Sequence, residues 1–223
     1  MARDGEWHVT ARGADAGRVI AGSARSIRLA APGTGTRPLA DRVKQTLFAI
    51  LEPDLPGARV LDLFAGSGAA GIEALSRGAR SATFVERDWG AVTVVAANLE
   101  RTHLADRGQV VHAEVMTFLN GLPAGTDSRW DVVLVDPPYD DGASLPALLA
   151  ALEPHLAAAG WLVVKHFWRV SLPVQVGLLA SVRGRRFGET ALTFYRLTRA
   201  DGPLRAAAET AAATETAAAT EVG

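Results

Sequence analysis

The chain has 223 residues, 48% of them hydrophobic and 21% charged, which suffices for one sizeable domain with a small appendage and a core of its own. Its 23 basic and 24 acidic residues leave a net charge of −1, and it has no cysteine, which excludes disulfides, cysteine-rich zinc sites and methylation at pyrimidine C5 through a cysteine nucleophile. No apolar stretch approaches the roughly 20 residues that a membrane span needs, so a cytoplasmic protein without membrane partners is expected.

Residues 1–17, rich in Ala, Gly and charge, read as a flexible leader without an apolar signal core. Residues 18–56 form a basic N-terminal extension. Arg18-Val19-Ile20-Ala21 and Ser26-Ile27-Arg28-Leu29, separated by Gly22 and its neighbours, predict a short hairpin. After a Gly/Thr/Pro loop, Leu39, Val43, Leu47 and Leu51 recur every four residues, one face of a helix that Pro53 ends. Between Arg18 and Lys44 six basic residues (Arg18, Arg25, Arg28, Arg37, Arg42 and Lys44) meet a single acid, Asp41. Local charge rather than the total sets attraction for phosphates, and these six are the candidate RNA contacts. A solvated basic surface is the competing reading.

From Arg59 to about residue 200 the pattern alternates strand and helix, as in a doubly wound α/β sheet. Strands are predicted at 59–64, 81–86, 109–113, 130–135 and 161–166, and helices at 69–77, 89–101, 115–120 and 144–156. The continuous apolar run Val132–Val135 fits a parallel strand covered on both faces. Segments 178–186 and 190–198, joined at Gly188, predict a closing antiparallel hairpin. Residues 201–223 repeat Ala with Thr and Glu, present no large apolar face, and are expected to be disordered.

Two strand-to-loop elements carry chemistry. The first is Val60-Leu61-Asp62-Leu63-Phe64-Ala65-Gly66-Ser67-Gly68, in which Gly66 to Gly71 matches G-x-G-x-x-G and Glu86 follows Gly66 by 20 residues. Glycines let backbone approach a ligand closely, and an acid at the end of the second strand accepts from two ribose hydroxyls. The same pattern serves NAD, so an NAD-dependent oxidoreductase is an alternative. Asp62 argues against it. A carboxylate four residues before Gly66 repels a pyrophosphate but suits the sulfonium and ammonium of S-adenosyl-L-methionine. Glu114, after the third strand, is placed either to accept from the adenine amine or simply to start a helix. Asp88 reads as a helix cap. The cofactor set is thus Asp62, Phe64, Ala65, Gly66, Ser67, Gly68, Glu86 and Glu114.

The second element, Asp136-Pro137-Pro138-Tyr139, closes the run Val132–Val135. A base amine is a poor nucleophile, its lone pair delocalised into the ring. The Asp136 side chain can accept one amine proton and the Pro137 carbonyl the other. Pro137 and Pro138 stiffen the turn, and Tyr139 can stack on the base. The two elements together predict methyl transfer to an exocyclic nucleobase amine. A DNA amino methyltransferase acting on adenine N6 or cytosine N4 shares both motifs but carries a substantial target-recognition region, for which this chain has no spare length. The five histidines show no metal-ligand spacing, and no metal is expected.

These residues resemble the RsmD-type 16S rRNA (guanine-N2)-methyltransferases. The resemblance rests on Arg18 to Gly22, Arg37-Pro38, Asp41 to Phe48, Leu61 to Gly68, Gly71 to Gly78, Val85-Glu86, Asp136 to Tyr139 and Phe187 to Leu192, and spans roughly residues 18–198. It implies a class I S-adenosylmethionine-dependent methyltransferase fold, Rossmann-like, ending in an antiparallel hairpin. It further implies methylation of a guanine N2 in 16S rRNA of the small ribosomal subunit or its assembly intermediate, by a monomer. Lys165 departs from the pattern, standing where an acid is expected in this family.

Overall fold

The computed structural model describes residues 15–33, 40–123, 129–138 and 145–198. Its elements in chain order are β1 (Asp15–Arg18), β2 (Arg28–Ala30), α1 (Asp41–Leu51), β3 (Arg59–Leu63), α2 (Ala69–Ser76), β4 (Ser81–Glu86), α3 (Trp89–Arg101), β5 (Gly108–His112), α4 (Val115–Asn120), β6 (Trp130–Val135), α5 (Leu145–Leu152), β7 (Leu156–Phe167), β8 (Gln175–Val176), β9 (Leu179–Phe187) and β10 (Thr190–Leu197). Eight strands form one sheet in the order β5-β4-β3-β6-β7-β10-β9-β8. The first five are parallel; β10 adds antiparallel to β7, β9 antiparallel to β10 and β8 antiparallel to β9. This is the Rossmann-like class I methyltransferase sheet with its closing hairpin. The chain winds outward from β3 to β5, then returns to β6 on the other side of β3, which creates a topological switch point there.

Strand β6 shows why the sheet is covered on both faces. Val132 and Leu134 join the core shared with α1, α2 and α3, whereas Val133 and Val135 join the core shared with α4 and α5. All four are essentially removed from water. Alternate residues of one strand therefore feed two apolar layers, and each face needs its own helices.

The N-terminal extension shares the first of these layers. Ala16, Val19, Leu29, Val43, Leu47 and Phe48 pack in the same cluster as Ile72, Leu75 and Phe84. Its hairpin lies nearer the N-terminus than the apolar pattern predicts: Asp15 pairs with Ala30 and Arg18 with Arg28, so residues 15–17 belong to a strand. The cause is Glu73, a fully buried acid on α2. Its carboxylate accepts the backbone N–H groups of Ile20 (2.7 Å) and Ala21 (3.0 Å) and pairs with Arg77 Nε at 2.8 Å. Those two amides are then unavailable for a hairpin ladder. Ser76 continues the clasp, its hydroxyl accepting from Ala24 N–H and donating to the Ala21 carbonyl. Gly22, with φ +83°, lies so close to Ser76 that a Cβ would overlap its carbonyl.

The helix predicted to reach residue 156 stops at Leu152 and tightens into a single 3₁₀ turn, Glu153–His155. Pro154 has no N–H to continue the α-helical ladder. Strand β7 consequently begins at Leu156, five residues before its predicted start. Residues 201–223, read as a disordered tail, lie outside the described residues.

Removing the Glu73 carboxylate orphans two backbone amides and costs Arg77 the shorter of its two ion pairs, leaving Glu52 at 3.6 Å. Glu73→Ala should lower unfolding free energy by about 3 kcal/mol in urea titrations. Glu73→Gln, which keeps one acceptor oxygen, should lose less.

Candidate active site

The site forms where β3 and β6 end side by side. Leu63 is in register with Val135, and the Asp136 amide donates to the Leu63 carbonyl at 3.4 Å. Phe64 turns the chain out of β3 with φ +58°, an uncommon conformation for a non-glycine residue and one concentrated at functional turns. The loop then folds back on the ends of β3 and β4. Ala65 N–H donates to the Val85 carbonyl at 3.2 Å, and Gly66 N–H to Glu86 Oε2 at 2.9 Å. Ser67 offers its carbonyl to Asn98 Nδ2 at 2.9 Å; the same Asn98 side chain holds both the N–H and the carbonyl of Ala30, each at 2.9 Å. The third glycine of the motif, Gly71, serves packing: a Cβ there would run into the Phe84 ring and sit 3.0 Å from Asp62 Oδ2.

Asp62 lies under this loop, buried, with Oδ2 accepting the Gly71 N–H at 2.8 Å. Among the described residues no cation pairs with it. Its carboxyl is raised to about 8, chiefly by loss of water; the Gly71 amide opposes the rise, and the charges of Asp136 and Glu86 contribute to it. The carboxyl is therefore mostly protonated at neutral pH until something cationic arrives.

Glu86 is oriented by two amides, Gly66 N–H on Oε2 and Asp88 N–H on Oε1 at 2.9 Å each. A carboxylate has about four acceptor positions, so roughly two remain for a ligand. Glu86 and Glu114 line one cavity of about 250 Å³ together with Phe64, Val85, Arg87, Val115, Met116, Ala147 and Leu148. That is below the roughly 300–1,000 Å³ of sites that enclose whole drug-sized ligands, and suits a nucleoside half with apolar walls and an acidic rim. Glu114 caps α4, Oε2 accepting the Thr117 N–H at 2.9 Å, so the helix-start reading holds and the residue also faces the cavity. Asp88 caps α3 as expected, accepting from Ala91 N–H at 2.8 Å.

The predicted cofactor residues thus divide. Phe64, Glu86 and Glu114 converge on the cavity; Asp62, Ala65, Gly66, Ser67 and Gly68 form the adjoining floor and loop. Arg87, Met116, Ala147 and Leu148 join them without a sequence signal, since α5 reaches the cavity only through tertiary packing. Asn98 likewise gave no signal.

At the turn after β6, Asp136 is partly exposed, Pro137 buried and Pro138 exposed; Tyr139 lies outside the described residues. Lys165 Nζ reaches both Asp136 oxygens, at 2.6 Å (Oδ1) and 2.8 Å (Oδ2).

The basic extension changes most between expectation and structure. Lys44 is withdrawn as an RNA contact: it is fully buried, its ammonium donates to the Arg18 carbonyl, and burial pulls its pKa below the usual value while the nearby Glu73 and Asp41 carboxylates oppose that pull. The four-residue period hid it. Val43, Lys44, Leu47, Phe48 and Leu51 make the buried stripe of α1, and Lys44 sits on that stripe beside Val43. Arg18 pairs with Asp41 at 3.4 Å and Arg28 with Asp15, Arg25 and Arg42 are exposed, and Arg37 lies outside the described residues. Exposed Arg183, Arg185 and Arg186 stand on β9, the Arg186 guanidinium stacked 3.7 Å over the Trp168 ring.

Residues 17–196 match the family model described as Conserved hypothetical protein 95. Ribosomal RNA small subunit methyltransferase D of Escherichia coli strain K12 is 39% identical over 162 residues, 72% of this chain and 77% of that protein. The chain belongs to the RsmD family. Another relative, the Bacillus subtilis protein YlbH, which carries an rRNA methyltransferase name, is 38% identical over 182 residues, 80% of this chain and 98% of YlbH. The solved structure of Escherichia coli yhhF, titled a methyltransferase, superposes with a TM-score of 0.71 at 36% identity, covering 81% of this chain and 97% of that one. The RsmD family match takes in the β1–β2 hairpin, the glycine loop and the closing hairpin alike.

Because the folded-state pKa of Asp62 is raised, its contribution to stability is complete below about pH 4 and is lost as pH climbs through about 8. Asp62→Asn mimics the protonated acid at every pH. The stability of the wild type relative to Asp62→Asn should therefore fall between about pH 4 and 8 and level off above, measured by urea unfolding of ligand-free protein.

Proposed function

We propose that this chain transfers a methyl group from S-adenosylmethionine to the exocyclic N2 amine of a guanine in 16S rRNA of the small ribosomal subunit or its assembly intermediate. The observation that carries the reading is the joined end of β3 and β6, which puts the acceptor of an amine, Asp136, one hydrogen bond from the strand that leads into the glycine loop. Membership of the RsmD family supports the RNA substrate, and the Escherichia coli relative is named for the small subunit.

The residues fit this cofactor. The cavity offers apolar walls for an adenine ring and Glu86 for the ribose hydroxyls, with Glu114 at the rim. Asp62 is a buried carboxyl with no cation beside it among the described residues, as an ammonium- or sulfonium-bearing ligand requires. When bound, S-adenosylmethionine supplies a methyl carbon made electrophilic by the sulfonium. Asp136 accepts a hydrogen bond from the amine, and the Pro137 carbonyl accepts the second. Holding both N–H groups frees the nitrogen to leave the ring plane, a positioning contribution worth up to about 7–11 kcal/mol. Asp136 takes up the proton that the nitrogen sheds on methylation, or passes it to water. Tyr139 is the stacking residue of this reading. No metal is called for, and the protein acts as a cytoplasmic monomer.

Substrate contact falls to arginine side chains at two places. Arg25 and Arg42, with Arg18 and Arg28 released from their exposed partners, serve the N-terminal side; exposed ion pairs of this kind hold weakly. Arg183, Arg185 and Arg186 serve the other.

Incubation with labelled S-adenosylmethionine and small subunits, followed by nucleoside analysis, should place the label in N2-methylguanosine. Label in N6-methyladenosine would overturn the substrate. The triple substitution Arg183→Gln, Arg185→Gln, Arg186→Gln should weaken RNA binding and reduce the slope of log K against log salt by about two, with S-adenosylhomocysteine affinity unchanged.

A further inference from the structure

Lys165 stands beside the reacting end of the sheet, and its partner is the residue expected to hold the amine. Val164 of β7 lies opposite Val135 of β6 in parallel register, so the next residue on each strand, Lys165 and Asp136, emerges side by side. One ammonium bridges both carboxylate oxygens, at 2.6 and 2.8 Å. Contact with both oxygens points the carboxylate at Nζ and holds its position, the ammonium acting as a point charge. The Lys165 side chain is 16% exposed and that of Asp136 39%, so the carboxylate is the more accessible partner of the pair.

The surroundings would otherwise favour the neutral acid. Burial pushes the Asp136 carboxyl above the usual range, with the charge and the hydrogen bonds of Lys165 drawing it back. The charge of Asp136 reaches Asp62 on β3, which it helps to keep protonated, as does the charge of Glu86 on β4. His166, next along β7, is occupied elsewhere: Nδ1 meets the Phe167 carbonyl and Nε2 the Thr193 hydroxyl, each at 2.9 Å. Among the described residues Lys165 is the only cation within ion-pair distance of Asp136. A protonated Asp136 could neither accept the amine hydrogen bond on both oxygens nor take up a proton. An acid at position 165 would add a further like charge.

We propose that Lys165 is a positioning residue for methyl transfer, holding Asp136 as an oriented carboxylate that receives the amine. This rests on the amine-methylation reading. Lys165 acts through Asp136 and touches neither substrate nor cofactor.

The test compares full-length wild type, Lys165→Met and Lys165→Arg. S-adenosylhomocysteine affinity by calorimetry and KM for small subunits should stay within about threefold. In Lys165→Met, kcat at pH 7 should fall at least about tenfold, and the acid limb of its pH profile should move to higher pH by about one unit or more, so that alkaline buffer restores part of the rate. Lys165→Arg should keep the limb near its wild-type position. A carboxyl-carbon NMR titration of the Asp136 resonance, assigned with Asp136→Asn, should show the same upward movement without any turnover. An unmoved resonance and an unmoved limb in Lys165→Met would overturn the role of Lys165. Wild type that methylates no guanine amine would instead overturn the functional reading, while the titration still decides whether Lys165 holds the carboxylate.

Discussion

Everything at this site follows from the parallel pairing of β3 with β6 in a single register. Leu63 opposite Val135 makes the two strands end level, and the backbone bond from Asp136 to Leu63 ties the two exits together. Side chains alternate along a strand, so a slip of one residue would turn Asp62 toward the α4–α5 face and bring Leu61 or Leu63 under the glycine loop. The apolar run of β6 opposes that slip, because Val132 to Val135 are matched to two different helical layers. The core is what holds the chemistry in line.

Three carboxylates near this core are accommodated in three ways. Glu73 is neutralised by Arg77 and by two amides, and its role is to fasten the N-terminal hairpin. Asp136 meets a lysine. Among the described residues Asp62 meets one amide and no cation, and it responds by taking up a proton. An unsatisfied charge is tolerable in a binding site because the ligand brings its counterion, whereas a purely structural position must be complete before anything binds.

The sheet was legible because its signals are local. Apolar runs, glycine turns and the spacing from Gly66 to Glu86 are written within short windows, and α3 and β6 have the boundaries that their patterns predict. What was illegible depends on distant partners. The register of the β1–β2 hairpin is decided by Glu73, more than fifty residues away in sequence. Lys44 looks like surface charge until Val43 and Phe48 are seen to flank it on a buried stripe. Lys165 could be recognised as out of place, but its meaning required β7 to lie next to β6. Within the site, the loop glycines and acids were readable, whereas the α5 wall of the cavity was not, since Ala147 and Leu148 resemble any other core residues.

Asn98 has one more implication. Its single amide group satisfies both backbone groups of Ala30 and the carbonyl of Ser67, so the far end of the N-terminal hairpin and the tip of the glycine loop share a fastener. Neither aspartate nor leucine of similar size could replace it, because the position demands donors and an acceptor together. The chain is therefore not modular at this boundary: a catalytic half transplanted without its first thirty residues would arrive with a loosened cofactor turn, and a foreign leader would have to bring its own Ala30.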